Sequence, residues 1–276
     1  MLTKDRIAFQ RAQFKDLHRS GCFVIPNPWD LGSARYLASL GFKALATTSS
    51  GFAWTIARAD NRVAVEDVIG HLQSLAGSIP LPVNADFEDG FSDTPEGVEA
   101  NVARACATGI AGLSIEDSTP HADQQLRSIA DGAARIRAAR RAIDAAGGDV
   151  ILVGRAENFI AGRPDLDDVI ARLSAYAEAG ADCLYAPGLT TDDQITALVQ
   201  AVAPKPVNVL VGQAGFTVER LAALGVRRIS VGGALARSAW GAFMTAAREI
   251  AEHGTFGSFT AAASGRDINA LMSARD

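Results

Sequence analysis

Apolar residues in this chain fall into eight short runs, each followed by a longer stretch in which they recur every three or four positions. The runs are Cys22 to Ile25, Ala44 to Thr48, Pro82 to Asp86, Gly112 to Glu116, Ile151 to Arg155, Cys183 to Ala186, Val207 to Val211 and Arg228 to Gly232. Near-continuous apolar runs of this length suit strands of a parallel sheet buried on both faces. The stretches between them carry helix starts: Thr94 before Pro95, Asp165 after Pro164, and Thr191 with Gln194 three residues on. Several end at a glycine, as at Gly41, Gly109, Gly180 and Gly225. An alternation repeated eight times predicts an α/β fold, a (β/α)8 TIM-type barrel. No Gly/Ser-rich or Pro-rich linker divides it, so residues 1–276 are expected to form one domain. Residues 255–276 exceed what eight units need. They predict a C-terminal helical extension, with a helix over Ser258 to Met272 that packs on its own barrel or on a neighbouring subunit.

Composition narrows the classes. Hydrophobic residues make up 48% and charged residues 21%, which excludes a largely disordered chain. A net charge of -5 with scattered Lys and Arg gives no footprint for nucleic acid. Cys22, Cys106 and Cys183 are widely spaced in apolar runs and predict buried thiols of a reducing compartment rather than a disulfide framework or zinc cluster. No signal-peptide core and no apolar run near the roughly 18 residues of a spanning helix is found, so a soluble cytoplasmic protein without membrane partners is expected.

Three of the runs break directly into acids: Val83 to Gly90 with Asp86, Glu88 and Asp89, Leu113 to Asp117 with Glu116, and Leu152 to Glu157 with Arg155. A parallel barrel presents such strand ends at one mouth, where its chemistry is sited. Ser50-Gly51 after the second run offers loop donors for a carboxylate, Asp60 lies in the connection that follows, and Asn208 lies in the seventh run. Gly232-Gly233 before a helix reads equally as a phosphate cradle or as close helix packing. Several acids facing one Arg repel unless a cation joins them. Mg²⁺ or Mn²⁺ there would chelate a 2-oxo acid and stabilise the enolate formed when a bond beside the carbonyl breaks.

These motifs resemble the isocitrate lyase and phosphoenolpyruvate mutase superfamily over nearly the whole chain. Pro26-Asn27-Pro28-Trp29-Asp30 followed by Ser33-Ala34-Arg35 resembles its opening strand and helix, and Ser50-Gly51 its substrate-binding pair. Asp86 in Asn84-Ala85-Asp86 matches the metal-binding Asp-Ala-Asp, Glu116-Asp117 the pair after the fourth strand, Arg155 with Glu157 the Arg-x-Glu after the fifth, and Asp60 the acid that precedes them. The resemblance implies a Mg²⁺ enzyme that makes or breaks C–C or P–C bonds beside a 2-oxo acid. It also implies a last helix swapped between subunits of a homodimer or homotetramer.

Two departures stand out. Asn84 replaces a carboxylate, and the Lys-Lys-Cys-Gly-His or Lys-Arg-Cys-Gly-His signature of isocitrate and methylisocitrate lyases is missing. The corresponding loop, Ser118 to Gln125, is short and lacks the mutase's Lys and Asn pattern; His121 is its one group of neutral pKa. The expected function is therefore a Mg-dependent carbon–carbon lyase of a small 2-oxo or 2-hydroxy (di)carboxylate, in its simplest form an oxaloacetate decarboxylase. Asp86 would bind the metal, with Asp60, Glu88 and Glu116 joining through water. Arg155, Glu116 and His121 are the catalytic candidates, and Ser50, Gly51, Trp29, Arg155 and Asn208 the substrate contacts. The competing readings are phosphonopyruvate hydrolysis or phosphoenolpyruvate mutase-type chemistry, methylisocitrate-type cleavage, and a non-catalytic 2-oxo acid binding protein. For phosphorus chemistry the loop offers only Arg127 as a cation.

Overall fold

A computed structural model describes residues 3–119 and 125–273. Its eight parallel strands are β1 (Phe23–Ile25), β2 (Leu45–Ala46), β3 (Val83–Asp86), β4 (Gly112–Glu116), β5 (Ile151–Arg155), β6 (Cys183–Tyr185), β7 (Val207–Leu210) and β8 (Arg228–Ser230). They pair in the order β1-β8-β7-β6-β5-β4-β3-β2. Across the remaining seam, the Ala46 amide donates to the Pro26 carbonyl at 3.1 Å. The result is the nearly closed TIM-type barrel that the alternation predicts.

Around it lie α1 (Lys4–Leu17), α2 (Leu31–Ser39), α3 (Ser49–Thr55), α4 (Val65–Ser78), α5 (Pro95–Ala107), α6 (Ile129–Ala145), α7 (Leu166–Glu178), α8 (Asp192–Ala201), α9 (Val218–Ala223), α10 (Ala234–His253) and α11 (Gly265–Ser273). The three predicted starts hold. Thr94 caps α5, Asp165 caps α7, and Thr191 with Gln194 forms a capping box on α8. Gly41, Gly109, Gly180 and Gly225 all take positive φ after a helix, the conformation that lets the chain leave an α-turn.

Helix α1, which the hydrophobic pattern does not single out, closes the bottom of the barrel. Its buried face is mostly polar: Gln10 donates to the Ile79 and Leu81 carbonyls, and Arg11 to those of Ile110 and Cys106. Phe14 alone enters the interior, fully buried with Ile25, Ala46, Val153 and Cys183. Gly112 makes room for it, because a Cβ there would lie 2.6 Å from the Phe14 ring and 2.8 Å from Asn84 Oδ1. Gly112→Ala is expected to lose about 1–3 kcal/mol by overpacking, read as a lower urea midpoint at unchanged slope.

The C-terminal extension departs from the predicted continuous helix. A 3₁₀ turn over Gly257–Ala261 precedes α11, and an extended Ala262 separates the two. Glu249 holds the turn, accepting from the Gly257 and Ser258 amides and from Thr255 Oγ1. Within the single chain α11 lies against α2, where Arg35 donates to the Met272 carbonyl at 2.9 Å. No described helix is long and apolar enough to cross a membrane.

Candidate active site

Arg155, at the end of β5, is the hub of the barrel mouth. Its Nη1 lies 2.9 Å from Glu116 Oε2 and 3.2 Å from Asp86 Oδ1, while its Nε bonds Glu157. Strand register explains the convergence, since Glu116 pairs with Arg155 and Asp86 with Ser114 on adjacent strands. Burial works against the guanidinium's charge, but Glu116 and Glu157 hold its pKa well above the ordinary value. One cation cannot neutralise three carboxylates, and burial pushes both Glu116 and Glu157 above the usual carboxylate range.

Asp86 is also fixed by the Ser49 amide, which donates to its Oδ2 at 3.0 Å, and by Thr47 Oγ1, which accepts from its backbone at 2.8 Å. Glu88 follows in a left-handed conformation, φ +45°, and its carboxyl is pushed up to about 8 by burial, then by Asp86 and Asp60. Asp60, at the rim, is raised by desolvation and by Asp86. The acids around Asp86 thus repel one another, and among the described residues Arg155 is the cation that relieves Asp60 and Glu88.

That donor set fits a hard divalent cation. Among the described residues no three His, Cys, Asp or Glu side chains converge tightly enough to cage an ion directly. Mg²⁺ does not need such a cage, since it keeps several waters and takes one or two carboxylates. Asp86 as direct ligand, with Asp60, Glu88 and Glu116 reached through water, suits it. Without metal, a proton stays on folded Glu88 between about pH 4.5 and 8 while the unfolded chain releases it. Stability without metal should therefore fall as pH rises through that window and level off above it. Glu88→Gln should remove that part of the slope, and Mg²⁺ should flatten it, in urea titrations at pH 5 and 8.

A cavity of about 140 Å³ opens beside Asp86, lined by Ser50, Asp60, Arg155, Tyr185, Arg228 and the Gly232-Gly233 turn among others. Tyr185 supports Arg155, whose guanidinium carbon lies 5.2 Å from the ring centroid. Ser50 and Gly51 are not on a loop. They form the first turn of α3, where the Gly51 amide is taken by the Thr48 cap, so the Ser50 hydroxyl is the group this pair presents at the cavity. Trp29 sits behind them, its Cβ against Gly51, and does not line the cavity. Asn208 is buried just outside it, donating to Ser230 Oγ and accepting from Arg228 Nε. The phosphate-cradle reading of Gly232-Gly233 loses one of its two donors, because Asn27 Oδ1 accepts from the Gly232 amide as well as from that of Val231. His121 lies outside the described residues.

Asp117, the second acid of the Glu-Asp pair, turns away from the mouth. Its Oδ2 accepts from Tyr176 at 2.7 Å and Arg172 at 3.0 Å, and its Oδ1 from the Glu157 amide at 2.8 Å. Arg127 is committed to Asp89 and Asp131. All three cysteines are free, with Cys106 and Cys183 buried. Reading strand ends from the sequence missed Tyr185 and Arg228; both lie on strands whose C-terminal ends carry no acid, and Arg228 opens its strand.

The family model for phosphoenolpyruvate phosphomutase matches residues 14–251, nearly the whole barrel. The chain belongs to that family. A solved structure described as a lyase/mutase from Burkholderia cenocepacia J2315 is 47% identical over 99% of each chain, with a TM-score of 0.95. An oxaloacetate decarboxylase of Bradyrhizobium sp. (strain BTAi1) is 30% identical over 61% of this chain and 58% of its own. Oxaloacetate acetylhydrolase, solved with its product oxalate, is 25% identical over 95% of this chain and 94% of its own, with a TM-score of 0.84. Family membership bears out the expectation of an enzyme.

Proposed function

We propose that this protein is a Mg²⁺-dependent (or Mn²⁺-dependent) carbon–carbon lyase of a compact 2-oxo or 2-hydroxy acid, acting on oxaloacetate or a close analogue by decarboxylation. One observation carries the reading: a cavity of about 140 Å³ has Asp86 and Arg155 together on its wall, which suits a small acid gripped by both. Similarity to an oxaloacetate decarboxylase and to oxaloacetate acetylhydrolase supports the substrate class.

Bound through Asp86, the cation would act as a Lewis acid toward the oxo group. The chain's own part is separate. Arg155 and the Ser50 hydroxyl meet the oxo end of the substrate, and the fixed guanidinium stabilises negative charge as it develops on oxygen. The electron pair of the breaking C–C bond moves toward that oxygen as carbon dioxide leaves, and a proton later returns to carbon. Because Glu116 is buried and held above the usual carboxylate range, it is the described group suited to keep a proton beside Arg155.

Phosphorus chemistry of the mutase type is the second reading, favoured by the family match itself. Against it, Arg127 is already paired with two carboxylates and is not free to meet a phosphoryl group. We also propose that the protein works as a homodimer or homotetramer joined through its C-terminal region. Trp240, Phe243 and Met244 on α10, with Phe256 and Phe259 after it, form an exposed apolar surface that a second copy would cover.

The deciding experiment incubates purified protein with oxaloacetate or phosphonopyruvate, with Mg²⁺ and then with chelator, and follows products by NMR over the metal-only background. Pyruvate formed from oxaloacetate faster than that background, and only with metal, is the expected result. Turnover of phosphonopyruvate alone would replace this reading with the second one, and binding without turnover of either would indicate a 2-oxo acid binding protein.

A further inference from the structure

Arg228 is a buried cation that the function above leaves unused. It opens β8, is 3% exposed, and its side chain lies in the barrel interior and lines the same cavity as Arg155. Its Nε donates to Asn208 Oδ1 at 2.9 Å and its Nη1 to Asn84 Oδ1 at 3.2 Å. Both acceptors are neutral amides, and among the described residues no carboxylate pairs with it. The neighbouring ionisable groups bring no negative charge: burial raises Cys183 and holds Tyr185 up at about 12, and burial together with Arg228 lowers His18 to about 3. Below it the floor is apolar, with Phe14 fully buried against Gly112 and Asn84.

An ion moved from water to a protein interior carries a penalty of several kcal/mol unless a counter-charge and hydrogen bonds offset it. Asn84 and Asn208 orient the guanidinium but do not neutralise it. The Nη2 group has no acceptor among the described residues, leaving a face of the fork for an anion in the cavity. Asn84 is the informative partner, because a carboxylate at that position would have closed the charge internally. An amide there keeps the site cationic.

We propose that Arg228 is a second anion-binding residue of this active site, holding the charged group of a compact dianionic acid that lies away from the oxo end met by Arg155 and Asp86. The inference rests on the assignment of the Asp86–Arg155 cavity as the substrate site. Its shared chemistry is a carboxylate or a phosphonate. Arg228 acts on binding more than on the bond-breaking step.

The test measures binding of malonate, phosphonoacetate and pyruvate by calorimetry, with Mg²⁺ present, to the wild type, Arg228→Gln and Asn84→Asp. Malonate or phosphonoacetate should bind the wild type at least about tenfold more tightly than pyruvate, about 1.4 kcal/mol. Arg228→Gln should remove that preference while changing pyruvate affinity less than about twofold. Which dianion loses more identifies the group that Arg228 holds. Asn84→Asp supplies an internal counter-charge, so it should weaken the dianions similarly and raise the melting temperature. It keeps the test decisive if Arg228→Gln fails to fold. Unchanged dianion affinity in the folded variants, equal losses for dianion and monoanion, or no preference in the wild type would each overturn the proposal. If oxaloacetate is inert but the preference exists and is lost in the variants, the lyase reading fails and the anion site stands. Normal oxaloacetate turnover with unaltered dianion binding in both variants gives the reverse.

Discussion

Arg155→Met is expected to abolish turnover and to destabilise the fold by about 3–5 kcal/mol, the range seen when one partner of a buried ion pair is removed. On the proposed function, the same guanidinium would both stabilise the site and serve the reaction. Glu116, Glu157 and Asp86 all lean on it, at 2.9 Å and 3.2 Å for the first and last. Taking it away leaves three carboxyls in a buried corner without the cation they share, and they will respond by taking up protons. Chemical denaturation of the variant should therefore show its deficit largest at alkaline pH, where those carboxyls are forced to ionise. Adding Glu157→Gln to Arg155→Met should recover part of the stability and none of the activity, which separates the two roles. Arg155→Lys should not rescue turnover, because an ammonium is a point charge and cannot span acids approached along both Nε and Nη1. Activity in Arg155→Met above a thousandth of the wild-type kcat/KM, about 4 kcal/mol of barrier, would remove Arg155 from the reaction.

Asp117→Ala should be nearly as damaging to the fold while acting on the reaction only through position. The carboxylate is 1% exposed and ties β4 to the Glu157 backbone, to Arg172 and to Tyr176. Its loss strands the Tyr176 hydroxyl and half of Arg172's pairing, although Asp168 retains the Arg172 Nε. Roughly 3 kcal/mol is expected, or about 6–12 °C in melting temperature at 2–4 °C per kcal/mol. Tyr176→Phe, which deletes one hydrogen bond, should cost about 1 kcal/mol. A variant Asp117→Ala that melts with the wild type would show that the Glu-Asp pair is not a divided assignment, one acid facing the substrate side and one the scaffold.

Much of the barrel is legible in the chain because apolar runs, caps and terminal glycines repeat the same message eight times. Where reading falters, the cause is local. β2 keeps only Leu45–Ala46 of its run because the ladder ends at the bond from the Thr47 amide to the Asn84 carbonyl: Thr47 Oγ1 then takes the Asp86 amide, and Thr48 caps α3. β8 stops at Ser230 because Asn27 captures the next two amides. Helix α1 escapes notice since its buried face is built from Gln10 and Arg11, residues that usually mark a surface. The acids at the mouth are visible as strand ends, and Asp86, Glu116 and Arg155 do meet there. Arg228 is invisible to that rule. It sits at the opposite end of its strand and reaches the site through side-chain length, a distance that no one-dimensional pattern records.

The seam between β1 and β2 leaves this barrel one ladder short of a ring, and Asn27 helps sew it beside the bond from the Ala46 amide to the Pro26 carbonyl. Its Nδ2 donates to the Thr47 carbonyl at 2.8 Å, and its Oδ1 receives the Val231 and Gly232 amides, both at 2.9 Å. The stitch needs a donor and an acceptor on a short planar group, so an Asp would lack the donor, a Leu of similar size would lack both, and a Gln would overreach. Position 27 is thereby almost without freedom of choice, and its side chain also lines the cavity beside Asp86. Invariance there in relatives would record, first, the mending of a sheet.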